Sequence, residues 1–169
     1  MLTVLALCLV GCLGVPDGAQ PVEDFMLEKY LGKWYEIARM DHSFERGLSN
    51  VTAEYSLRED GGVKVVNRGF KSTANKWKDA EGKAYIDGNP SVGKLKVSFF
   101  GPFYGAYNVI ALDQDYQWAL VVGPNTKYLW ILSRTPVLDQ AVIEQLLSQA
   151  KSLGFKTDEL IFVEQDQAW

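Results

Sequence analysis

The chain has 169 residues, a length that suits a single domain. Hydrophobic residues make up 47% and charged residues 22%, which excludes a disordered chain. The net charge of −4 leaves no basic field for nucleic acid, and no internal repeat is visible.

The stretch from Leu2 to Val15 carries no charge and is rich in Leu and Val. An apolar run of roughly ten residues is too short to span a bilayer, which takes about 20, but it suits the hydrophobic part of a signal peptide. The run contains Leu9-Val10-Gly11-Cys12, which resembles the lipobox of bacterial lipoproteins. That resemblance implies a signal peptide over 1–11, cleavage before Cys12, and acyl chains on Cys12. Met1-Leu2-Thr3 departs from the pattern, because it has no Lys or Arg. The other reading of the run is a buried N-terminal strand. Both cysteines, Cys8 and Cys12, lie here, so cleavage and lipidation leave no thiol for a disulfide or for catalysis. Residues 12–24 contain Gly, Pro, Asp and Gln and read as a lipidated N-terminus and flexible tether, ahead of a domain over 25–169.

Phe25 to Leu31 has the spacing of a short helical turn that could cap a core. Gly32-Lys33-Trp34 then opens an extended run. Gly32 lets a large group approach closely, and Trp34 can plug one end of a core. From there Trp34, Glu36, Ala38 and Met40 share one face, and Tyr35, Ile37 and Arg39 the other. His42 to Asn50 reads as a loop.

Val51, Ala53, Tyr55 and Leu57 alternate with polar residues, Asp60-Gly61-Gly62 marks a hairpin turn, and Val63, Val65 and Asn67 alternate on the return. Ser72 to Glu81 reads as a polar connection and Gly82 to Gly88 as a strand. Lys94 to Phe99 alternates strictly, with Leu95, Val97 and Phe99 inward. Gly101 to Gly105 reads as a loop, followed by strands over Tyr107–Leu112, Gln117–Val122 and Tyr128–Ser133. Eight short strands joined by turns predict an antiparallel meander, and one that closes on itself has an interior wide enough for one small ligand. A helix follows, with Asp139 as N-cap, an apolar stripe through Val142, Ile143, Leu146, Leu147, Ala150 and Leu153, and Gly154 as the stop. Leu160 to Val163 reads as a last short strand.

Three stretches together resemble the lipocalins: Gly32-x-Trp34, the run Tyr107 to Asp113, and Ser133-Arg134 before the helix. The resemblance implies an all-β fold, an eight-stranded antiparallel up-and-down barrel with one C-terminal α-helix packed on its outside. It further implies that Arg134 stacks over Trp34, making a structural closed end with Gly32. Lys33 to Arg39, Phe44 to Gly47, Val97 to Gly105 and Tyr128 to Pro136 are similar to bacterial lipocalins. Those include outer-membrane lipoproteins that prefer lysophospholipids and long-chain fatty acids and can dimerise. The implied partners are therefore such a lipid, a membrane reached through the lipid anchor on Cys12, and a second copy of the chain. Leu13 after the cysteine, rather than Asp, is similar to the pattern sent to the outer membrane.

The candidate ligand site follows from parity and from that resemblance. Resemblance assigns Trp130 to the pocket and Tyr104 to its open end. Parity alone adds Tyr107, Tyr55, Phe99 and Met40, with Val65, Val97 and Leu132 as further wall positions. Glu36 shares the face of Trp34, so it meets a ligand head group or is paired internally by Arg39, tyrosine or water. Catalysis has little support. The one histidine, His42, reads as a solvated loop residue, and no Gly-x-Ser-x-Gly is present. No Cys/His spacing points to a metal, and no cofactor is implied. Two alternatives to a lipid carrier stay open: a lipid-modifying enzyme on the same barrel, and an interaction module acting through a dimer surface.

Overall fold

The period-two alternation along the chain becomes a closed cylinder. In the computed structural model, which describes residues 13–166, the strands are β1 (Gly32–Arg39), β2 (Leu48–Leu57), β3 (Val63–Lys71), β4 (Lys76–Ile86), β5 (Lys94–Phe100), β6 (Phe103–Leu112), β7 (Trp118–Val122) and β8 (Leu129–Ser133). Each pairs antiparallel with the next, and β1 pairs with both β2 and β8, so the barrel has no open seam. A short β9 (Ile161–Phe162) adds to β1 from outside.

Alternation divides the apolar residues into two cores. One lies inside the barrel and includes Trp34, Tyr55, Val65, Leu95 and Val121. The other lies between the wall and the helix α2 (Gln140–Ser152), where Ile143, Leu146 and Ala150 meet Ile110, Leu120, Leu129 and Ile131. The helix begins and ends where its chemistry directs. The Asp139 carboxylate accepts from the Ala141 backbone N–H at 2.8 Å, and Gly154 adopts φ +84° just past the last turn. A single turn, α1 (Leu27–Tyr30), crosses the end where β1 starts.

The alternation read from Trp34 breaks once. Glu36 stands opposite Leu132 and Ala38 opposite Ile131, so Ile37 is an extra residue in β1. Beyond this bulge inside and outside exchange. Ala38 and Met40 join the core under α2, and Arg39 turns inward to Glu36. The expectation that Met40 lines the cavity is corrected on this ground.

Two loops of the sequence reading are strand. Lys76 to Glu81 belongs to β4, which pairs with β3 along its length, Lys71 opposite Lys76 and Val66 opposite Glu81. Most side chains here are exposed, so the apolar alternation is missing although the backbone is extended; Lys64–Glu81 and Arg68–Asp79 bridge the strands. Phe103 and Tyr104 are likewise the first residues of β6, leaving only Gly101 and Pro102 in the turn.

The stretch read as a flexible tether is docked instead. Pro16 and Ala19 are buried, and Val22 is hydrogen-bonded between Val109 and Gly93, at 2.8 Å on each side. The Phe25 N–H reaches Ser91 O, and Gly14 O accepts from the Asn108 side chain. Residues 13–24 thus run down the outer wall before α1. The proposed signal peptide and Cys12 lie outside the described residues.

Candidate functional site

The two ends of the barrel differ in kind. At the end crossed by α1, Trp34 is fully buried and its indole N–H donates to Tyr30 O at 2.8 Å. The Arg134 guanidinium lies 3.8 Å from the centre of the Trp34 ring system. It donates to Lys33 O at 2.9 Å, Lys29 O at 2.8 Å and Tyr116 O at 3.2 Å, which ties β1, α1 and the β6–β7 turn together. Gly32 sits at φ +93°, and a Cβ there would stand 3.4 Å from the guanidinium. These contacts seal the floor.

Above the floor is a cavity of about 380 Å³. Its walls are apolar: Val63, Val65, Ala84, Leu95, Val97 and Phe99 come from three adjacent strands. Three phenols lie at its base, where Tyr107 shares hydrogen bonds with Tyr30 at 2.6 Å and Tyr55 at 2.9 Å. Burial pushes all three hydroxyls up, so they stay neutral and satisfy one another.

The polar groups gather toward the opposite, open end. Arg39 donates to Glu36 at 2.7 Å and to Glu45 O at 2.9 Å. The Glu45 carboxylate accepts from Trp130 Nε1 at 3.0 Å. His42 Nε2 lies 2.7 Å from the same carboxylate oxygen, in ion-pair range but poorly aligned for a hydrogen bond. Burial, and then the Glu45 charge, push the Glu36 carboxyl well up, against the pull of Arg39. Burial also pushes the Glu45 carboxyl up, but His42, Trp130 and Arg39 outweigh it and hold Glu45 below the ordinary carboxylate range. The two acids are therefore unlike. The Glu36 carboxyl is pushed up, whereas the Glu45 carboxyl is held down.

Of the residues singled out from the sequence, Trp130, Tyr107, Tyr55, Phe99 and Glu36 line one cavity, with Val65, Val97 and Leu132. Met40 does not, because of the bulge. Tyr104 does not either: β6 starts at Phe103, Gly105 faces inward opposite Val97, and Tyr104 alternates outward. Its ring lies on the outer wall, 6.3 Å from Tyr85, with Lys96 Nζ 5.6 Å away. His42 is not a solvated loop residue. It is 7% exposed, stacks on Phe44 at 3.8 Å and lies beside Trp130. Sequence reasoning missed Glu45, Phe44 and Tyr128 in the lining. They lie in or beside turns, where no period marks an inward side.

A Lipocalin-like domain model matches residues 25–165, nearly the whole span from α1 to the end of the described chain. The chain is a lipocalin. As a lipocalin it is 56% identical to Outer membrane lipoprotein Blc of Vibrio cholerae over 95% of this chain and 96% of the relative. It is 55% identical to the protein of the same name from Escherichia coli K12, over 89% of this chain and 85% of the relative. Insecticyanin from the tobacco hornworm Manduca sexta has the same fold, with a TM-score of 0.72 at 22% identity over 89% of this chain and 86% of that one.

Proposed function

We propose that this lipocalin is a non-catalytic carrier of single-chain lipids, lysophospholipids or long-chain fatty acids, held at the bacterial outer membrane by acyl chains on Cys12 and serving envelope maintenance. The observation that carries this reading is the cavity of about 380 Å³ with mostly apolar walls, a sealed floor whose phenol hydroxyls pair with one another, and charged groups only toward its open end. The size falls in the usual range for small-molecule sites. Each methylene moved from water into such a cavity contributes about 0.8 kcal/mol, so a chain of a dozen carbons supplies roughly 10 kcal/mol before the cost of ordering it. Little of that depends on particular contacts, so the reading implies tolerance of chain length. The names of the Vibrio cholerae and Escherichia coli relatives support the outer-membrane location. Several acyl chains on one cysteine make a stable anchor where a single chain is marginal.

Native mass spectrometry of the purified protein tests the carrier reading. Co-purifying lipid with one acyl chain is expected, and Trp130→Ala should weaken its retention about tenfold. An empty barrel that also ignores added lysophospholipid would sink the proposal. A Cys12→Ser protein that stays in the membrane fraction would remove the anchor from it.

A further inference from the structure

We infer that the open rim of the barrel is itself a docking surface for an anionic lipid bilayer, so that the cavity opens onto the membrane rather than into water. The inference rests on the proposed anchor for its orientation, but its surface is visible independently.

The path of the N-terminal segment comes first. With residues 12–24 as a free tether, a reach of roughly 40 Å would let the barrel adopt any orientation. Residues 14–24 are docked on the wall instead, and they run from the rim to the floor. At one end Gly14 accepts from Asn108 and stands beside Pro124, in the β7–β8 turn that lines the cavity mouth. At the other, Phe25 bonds to Ser91 in the β4–β5 turn at the closed end. Cys12 is two residues from Gly14, a reach of about 7 Å. The described chain therefore begins beside the open rim rather than at the floor.

The rim carries three exposed phenylalanine rings. Phe100 is 79% exposed and Phe103 is 61% exposed, and they face each other across the β5–β6 turn. Phe44, in the β1–β2 loop at the same end, is 58% exposed while its ring also borders the cavity. Three exposed rings thus flank the opening, Phe44 on one side of the mouth and Phe100 and Phe103 across from it, while the closed end exposes Met26 and Leu57.

Charge is divided the same way. The mouth turns carry Lys71, Lys76 and Lys127, while Asp41 is neutralised by Arg46 at 2.7 Å. The closed-end turns carry Glu59, Asp60, Asp87, Asp113 and Asp115, with Arg58 on Asp60 and Lys94 on Asp87. In a chain of net charge −4, the mouth loops carry more bases (Arg46, Lys71, Lys76, Lys127) than acids (Asp41, Glu45), whereas at the closed end Lys29, Lys33, Arg58, Lys94 and Arg134 are matched by Glu28 and these five acids. Aromatic rings among lysines suit a bilayer interface with anionic head groups. Once the rim is docked, an acyl chain passes between bilayer and barrel without crossing water.

The test uses the mature chain from residue 12 with Cys12→Ser, which takes no acyl group, and flotation with phosphatidylethanolamine vesicles with and without phosphatidylglycerol. It should float with the phosphatidylglycerol vesicles. Phe100→Ser with Phe103→Ser should weaken this at least tenfold, and Lys71→Glu with Lys127→Glu should abolish the dependence on phosphatidylglycerol. Leu57→Ser, at the closed end, should change nothing. Absence of flotation, or equal loss in Leu57→Ser, overturns the inference. Fatty-acid uptake in vesicle-free buffer, read by native mass spectrometry, should survive in both rim variants. If uptake fails in every form while flotation behaves as described, the carrier function falls and the docking surface stands.

Discussion

The closed and open ends of this barrel are built from the same strands, yet they solve opposite problems. At the closed end every strong group is satisfied within the protein: the Trp34 N–H has Tyr30 O, Arg134 has three backbone carbonyls and an aromatic face, and the tyrosine hydroxyls have one another. At the open end charged groups are buried beside apolar surface and only partly satisfied. Among the described residues Arg39 Nε and His42 Nδ1 have no hydrogen-bond partner there, and burial pushes the Glu36 carboxyl up while His42, Trp130 and Arg39 hold the Glu45 carboxyl down. The floor is arranged for stability. The mouth accepts electrostatic strain and exposed rings, as expected of a surface that must open to something outside the chain.

The sharpest way to test this division is to separate stability from binding. Trp34→Ala empties a fully buried site and should cost about 3–5 kcal/mol in urea unfolding, while the folded fraction keeps its affinity for fatty acid. Val97→Trp should do the reverse. The added ring fills the cavity, so fatty-acid affinity measured by titration should fall about 100-fold, roughly 2.7 kcal/mol, with little change in unfolding midpoint. Met40→Ala comes next. Because the bulge at Ile37 places Met40 under α2, it should cost about 2 kcal/mol of stability and leave binding intact. A loss of binding without loss of stability would return Met40 to the pocket.

The smallest effect is a change of slope. Glu36 has its carboxyl raised in the fold, so its stabilising contribution is fully present below the unfolded value of about 4.3 and is lost as pH rises through the raised one. Glu45 is lowered and acts oppositely: its contribution is present above about 4.3 and is lost as pH falls through its folded value. Glu36→Gln should therefore flatten the decline in melting temperature on the alkaline side, leaving the acid side unchanged. An unaltered alkaline slope would show that Glu36 is ionised in the fold.

How far the site was legible depended on where each residue sits. Tyr55, Phe99, Tyr107 and Trp130 lie within strands whose alternation runs unbroken to them, so parity placed them on the cavity wall or left one alternative. Met40 lies beyond a bulge, and Tyr104 lies in a strand whose start was hidden by Gly101 and Pro102. His42 and Glu45 were hidden for another reason. A polar loop gives no sign that it folds inward, and these residues are buried because Arg39, Trp130 and Phe44 receive them.

By itself the sequence determined whatever local period or short-range chemistry decides. That includes the meander of eight strands, the helix with its Asp139 cap and Gly154 stop, and, through its likeness to a family, the pairing of Arg134 with Trp34. Only the tertiary structure decided what depends on partners far along the chain. The extra residue at Ile37 is set by register against β8, the inward turn of His42 and Glu45 by Trp130, and the docking of residues 13–24 by Gly93, Asn108 and Val109. Alternation carries information about one strand at a time. Which way a bulge turns the strand, and which end of the barrel the chain leaves from, are properties of the closed ring.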